Sequence, residues 1–110
     1  MILRPIRVAS HVAYVVAILG LLVTCASADP KNGERLAQRW CAACHLVAAD
    51  QRQASADVPP FATIARRPGF NVEKLANFLL EPHPKMPPMA LSRREATDIA
   101  EYIAGLAPAQ

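Results

Sequence analysis

The stretch Trp40-Cys41-Ala42-Ala43-Cys44-His45 decides how the rest of the chain is read. Two cysteines two residues apart, followed at once by histidine, form the arrangement that attaches c-type haem. The chemistry needs this spacing. Thiols separated by Ala42 and Ala43 reach the two vinyl groups on one edge of a porphyrin, and His45 can then swing its imidazole beneath the iron. Trp40 brings a large apolar plane beside the cofactor.

Other uses of these residues fit less well. A zinc site wants four ligands, commonly two pairs at defined spacing. No cysteine follows Cys44, and His83 alone cannot complete a set. A thioredoxin-like pair would follow a strand of an α/β fold, and no alternating strand is legible anywhere. A free dithiol, a disulfide or a partial metal site stays open as the alternative.

Working outward toward the N-terminus, Arg4 and Arg7 precede an apolar run over residues 12–23, and Ala26-Ser27-Ala28 has the small residues of a cleavage site. This pattern predicts a secretory signal peptide over residues 1–28, with residues 29–110 as one mature domain. An uncleaved membrane anchor is the alternative, since residues 8–28 approach the roughly 20 a spanning helix requires. Threonine before Cys25, where lipoproteins carry a small residue, makes Cys25 an ordinary part of the leader.

Removing 28 of 110 residues leaves 82, a size at which a protein core alone gives a thin margin of stability. A buried macrocycle would remedy that. The mature part holds 10 basic and 9 acidic residues, so its formal charge is +1, which gives no sign of a nucleic-acid binder. Export also fits the cysteines, because outside the cytoplasm free thiols oxidise unless a cofactor captures them.

The mature chain reads as short helices. Asp29 or Asn32 can cap the first, Pro30 suits its first turn, and Leu36, Trp40 and Cys44 recur every four residues on one face. Gly33 costs helix propensity, which points to a frayed start, a close contact with another helix or a chance surface glycine. Residues 45–58 lack any period and read as a surface loop. Pro59-Pro60 stiffens the chain before one short turn at Phe61 and Ile64, ended by Arg66-Arg67-Pro68-Gly69. Asn71 caps a helix whose apolar face is Val72, Leu75, Ala76 and Leu79.

Pro82, Pro84, Pro87 and Pro88 then forbid helix and stiffen a loop. Such a loop can hold one side chain in place, and it offers Met86, Met89 and His83. Methionine binds haem iron well, and His/Met ligation raises the reduction potential. Ser92-Arg93-Arg94-Glu95 is a capping box. It starts a last helix with the stripe Ala96, Ile99, Ile103 and Leu106, flanked by Tyr102 and ended by Gly105 and Pro108.

This order of parts, from the Cys41-Ala42-Ala43-Cys44-His45 helix end through Met86-Pro87-Pro88 to the Tyr102 helix, resembles the small monohaem class I c-type cytochromes of bacteria. The resemblance covers residues 30–106. It implies an all-α, cytochrome c-like fold of three or four helices around one haem c. Cys41 and Cys44 would form the thioethers, His45 the proximal ligand and Met86 the distal one, ahead of Met89 and His83. By the same resemblance the Pro59 carbonyl accepts the His45 ring N–H, and Arg67 lies near the propionates. The family's aromatic residue four positions before the first cysteine is here Ala37, so looser packing of the first helix on the last is expected.

The function implied is one-electron transfer between exported redox partners, with no catalysis, in the bacterial periplasm. The haem-attachment machinery would be a further partner. Two alternatives differ in kind. One is a haem enzyme or ligand sensor with an open distal site, which requires that no methionine bind the iron. The other is a membrane-anchored haem subunit of a respiratory complex.

Overall fold

Four helices follow from four local start signals, and no strand occurs among the described residues; the computed structural model describes residues 27–81 and 84–108. Helix α1 (Pro30–Trp40) starts where the Asp29 carboxylate accepts from the N–H groups of Lys31 at 3.0 Å and Asn32 at 3.2 Å, with Pro30 just inside. These bonds satisfy donors that a helix leaves unpaired at its start. The short α2 (Phe61–Ala65) follows the Pro59-Pro60 pair. Helix α3 (Val72–Leu80) is capped by the Asn71 side chain, which accepts the Lys74 N–H at 2.9 Å.

Helix α4 (Arg93–Ala104) has the full capping box. Glu95 N–H donates to Ser92 Oγ at 3.2 Å, and Ser92 N–H donates to the Glu95 carboxylate at 2.7 Å. The backbone bond from Ser92 and then its hydroxyl hold the Glu95 carboxyl below the usual carboxylate range.

Helix α4 is the spine. Helices α1 and α3 both pack along it, and α2 touches it more lightly. Its inner face buries Ala96, Ile99, Ala100 and Ile103, which meet Ala37, Val47 and Phe61 in one core. The buried face of α1 is Gly33 and Ala37, continued by Cys41, and not the expected Leu36, Trp40 and Cys44. The physical reason is that α1 ends at Trp40, and the small face lets two helix backbones approach. A Cβ on Gly33 would overlap the Asp98 carbonyl of α4. The crossing is therefore close, which corrects the expectation of looser packing at Ala37.

Trp40 also departs from expectation. It is 41% exposed, with the Arg39 guanidinium 5.0 Å from its ring centre. It turns outward because the inward face of α1 is taken by small residues.

The segment after His45 is a surface loop, as expected, exposed over residues 52–57 and pinned to the fold near its start and end. Val47 is buried, Ser55 N–H donates to the Cys44 carbonyl at 3.0 Å, and Phe61 N–H donates to the Leu46 carbonyl at 2.9 Å. Asp98 is a buried carboxylate at the α1–α4 crossing. It accepts the Asp29 backbone N–H at 2.8 Å on one oxygen and the Asn32 side-chain amide at 2.8 Å on the other.

The leader expected over residues 1–28 lies outside the described residues except for Ser27 and Ala28. No helix among the described residues is long and apolar enough to cross a membrane.

Candidate haem site

The end of α1 shapes the first wall of the site. Cys41 N–H closes on the Ala37 carbonyl at 2.8 Å, and the chain then winds a turn in which His45 N–H reaches the Cys41 carbonyl at 2.8 Å. Five residues of tight turn thus carry both cysteines and the histidine. Cys41 is buried, Cys44 is exposed, and both thiols are free. Burial, with Cys44 adding to it, pushes the Cys41 thiol up to about 11. The thiol stays protonated at neutral pH, since desolvation disfavours the charged form.

His45 is fixed from behind. Its Nδ1 lies 2.8 Å from the Pro59 carbonyl, and its ring packs against Phe61 with centroids 5.2 Å apart and planes at 52°. The carbonyl can only accept, so Nδ1 carries the proton and Nε2 is left with a lone pair for a metal.

In front of His45 lies a cavity of about 800 Å³. Its wall is apolar and comes from three helices: Phe61 and Ile64 of α2, Leu75, Phe78 and Leu79 of α3, and Ile103 of α4. Phe78 is 47% exposed, an unusual state for a large apolar ring that the cavity accounts for. Cys41 and His45 line the same cavity, and so does Met86 from the proline loop. Arg67, Lys74 and Lys85 supply positive charge along it, with Asp57 the one acidic residue of its wall among the described residues.

The residues expected from sequence therefore converge in part. Cys41, His45, Pro59, Arg67 and Met86 all line one space. Met89 does not; it borders a smaller pocket with Leu79, Leu80 and Met86. Arg66 is exposed and also outside the lining. His83 lies outside the described residues.

These residues suit haem. The cavity is within the roughly 300–1,000 Å³ typical of small-molecule sites. An imidazole, a thioether-bearing methionine and a thiol-bearing cysteine line it, and the guanidinium and ammonium groups along it can pair with propionates. The surrounding surface is apolar, so a haem seated there would be largely screened from water.

Gln51 was not signalled by the sequence. Its Oε1 accepts the Val47 N–H at 3.0 Å, and its Nε2 donates toward the carbonyls of Gln53 at 2.7 Å, His45 at 2.8 Å and Ala42 at 3.0 Å. With two N–H groups for three acceptors, one bond is shared. One side chain thereby ties the turn of residues 41–45 to the segment that follows it. Lys74 and Lys85 were missed as well. No local pattern distinguishes them from solvated lysines.

Comparison with known proteins agrees with this geometry. Residues 28–103 match the family described as cytochrome c oxidase, cbb3-type, subunit III. The chain is also similar to cytochrome c-552 of Bradyrhizobium diazoefficiens, with 56% identity over 97 residues, which is 88% of this chain and 93% of that protein. No solved structure matches.

Proposed function

The chain belongs to the c-type cytochrome family, and from that premise we propose that Cys41 and Cys44 hold one haem c by thioethers, with His45 and Met86 as its axial ligands. The protein is an electron carrier and not an enzyme. When bound, the haem supplies reversible one-electron chemistry. The residues supply everything else.

Pro59 holds the His45 ring through the 2.8 Å contact at Nδ1 and leaves Nε2 to the iron. Pro84, Pro87 and Pro88 stiffen the loop that presents Met86. Two strong ligands leave no coordination position for substrate, so no acid or base is required. The apolar wall from Phe61 to Ile103 lowers the local dielectric, which with the methionine sulfur favours the reduced state. Arg67, in the cavity wall, would pair with a propionate of a bound haem and help orient it.

The observation that carries the reading is that Met86, and not Met89, lines the cavity that His45 lines. The mature protein, residues 29–110, is exported to the bacterial periplasm and passes electrons between redox partners. The family's description favours a second reading, a haem subunit of a respiratory oxidase, in which the redox chemistry is unchanged. Co-purification of an oxidase from membranes would select it.

The decisive experiment is one preparation of the exported protein, measured by intact mass and by optical spectra in both oxidation states. The expected result is the mass of residues 29–110 plus one haem, with low-spin bands and the far-red methionine-to-iron band when oxidised. A high-spin spectrum without that band would overturn His/Met ligation in favour of an open-site enzyme or sensor. A colourless protein would indicate a bare dithiol.

A further inference from the structure

Asp98 poses a question that haem chemistry does not answer. It is 1% exposed, it sits where α4 crosses α1, and its partners are two neutral donors: the Asp29 backbone N–H and the Asn32 amide. No lysine or arginine side chain contacts it among the described residues. A buried carboxylate without a cation is costly, and neutral hydrogen bonds compensate only part of that cost.

One of the two donors is the nitrogen at which the leader is expected to be cut. We propose that cleavage between Ala28 and Asp29 creates the missing cation, and that Asp98 is the built-in binding site for the new N-terminus. This rests on the reading of residues 1–28 as a signal peptide. A signal peptidase adds water across the Ala28–Asp29 amide: the C–N bond breaks, Ala28 leaves as a carboxylate, and the Asp29 nitrogen is retained as an ammonium. The same atom, 2.8 Å from Asp98 Oδ1, changes from a neutral donor to a charged one.

Local geometry makes the pairing specific. Asp29 is the N-cap of α1, with its own carboxylate bonded to the Lys31 and Asn32 N–H groups. A positive charge at a helix N-terminus is unfavourable by itself, because the helix dipole is positive there. The Asp98 carboxylate offsets that charge from the neighbouring helix, and Gly33 sets the backbones close enough for it to reach. Charge-assisted hydrogen bonds are roughly twice as strong as neutral ones. The unprocessed chain therefore has a weaker α1–α4 crossing, and α1 leads directly into the turn that carries the cysteines. Processing completes the fold outside the cytoplasm.

The test uses the exported, haem-loaded protein in two lengths, one starting at Asp29 and one retaining Ser27 and Ala28, each with Asp98 intact and as Asp98→Asn. Intact mass assigns the N-terminus and the haem content of all four, so failure of the carrier reading, seen as loss of haem, is separate from failure of this one. Denaturant unfolding then gives the folding equilibrium constants. With Asp98 intact, the Asp29-starting form should be favoured by roughly tenfold over the extended form, the difference between charged and neutral hydrogen bonds. In Asp98→Asn that advantage should vanish or reverse, because the ammonium then meets only the unfavourable end of the α1 dipole. Equal stability of the two lengths with Asp98 intact would overturn the proposal. An advantage of the Asp29-starting form that survives Asp98→Asn would do the same, and so would natural processing at any bond other than Ala28–Asp29.

Discussion

The Tyr102 hydroxyl donates to the Val47 carbonyl at 2.7 Å, joining α4 to the segment just past His45 across 55 residues of sequence. The bond ties the spine of the fold to the segment that follows the turn of residues 41–45. Desolvation, followed by the charges of Glu34 and Asp50, raises the Tyr102 pKa above its usual 10.

The raised value gives a sign for the pH dependence. The folded state holds the phenol proton more tightly than the unfolded state, so this stabilisation is complete below pH 10 and is lost as pH rises through the higher folded value. Tyr102→Phe should cost about 1 kcal/mol at neutral pH. It should also flatten the alkaline fall in thermal midpoint. An unchanged alkaline slope in the variant would assign that fall to other groups.

Gly33 and Gly105 should respond oppositely to alanine. At Gly33 the new methyl would overlap the Asp98 backbone, and prising the helices apart should cost about 2–3 kcal/mol. At Gly105 the nearest atom is 3.4 Å away and φ is −66°, so Gly105→Ala should be neutral or stabilising by about 0.5 kcal/mol. Urea midpoints of the two holoproteins decide the matter, and similar values would mean that α1 can shift along α4.

Gln51→Ala leaves the Val47 N–H and several carbonyls without their partner. The expected cost is about 2–3 kcal/mol, because part-buried groups lose bonds that water replaces poorly. Since the His45 carbonyl is among them, proton exchange at the His45 and Val47 amides should accelerate more than exchange within α3. Uniform acceleration would indicate a global effect only.

Met86→Ala should open the iron to added carbon monoxide or cyanide and abolish the far-red band. Met89→Ala should change neither, since Met89 borders a separate pocket. If the two variants exchanged these phenotypes, Met89 would be the ligand.

Replacing Cys41 and Cys44 together by alanine would remove the proposed covalent hold on a haem seated in the cavity of about 800 Å³. A mostly unfolded chain is expected by circular dichroism. A compact product with a cooperative melt would show that the helices need no cofactor.

How much of this was legible varies with the range of the interaction. The caps at Asp29, Asn71 and Ser92 were readable because cap and partner lie within three residues. The Cys41-Ala42-Ala43-Cys44-His45 turn was readable for the same reason, its geometry being set by covalent spacing. The buried face of α1 was misread, since Leu36 and Trp40 are the more hydrophobic side, yet close backbone approach selected Gly33 and Ala37. Gln51 looked like one polar residue of a loop, and nothing within a few positions reveals that it gathers three carbonyls.

The sequence by itself determined the chemistry: the attachment motif, four helix starts, and a proline-stiffened loop bearing methionine, all fixed by bonding within a few residues. Tertiary structure alone decided which face of α1 is buried, and it places in the cavity the methionine, Met86, that the family resemblance puts first. It also decided that Asp98, 69 residues from Asp29, meets its backbone nitrogen. Those outcomes depend on how closely two helices pack, and packing distance is a property of both surfaces together.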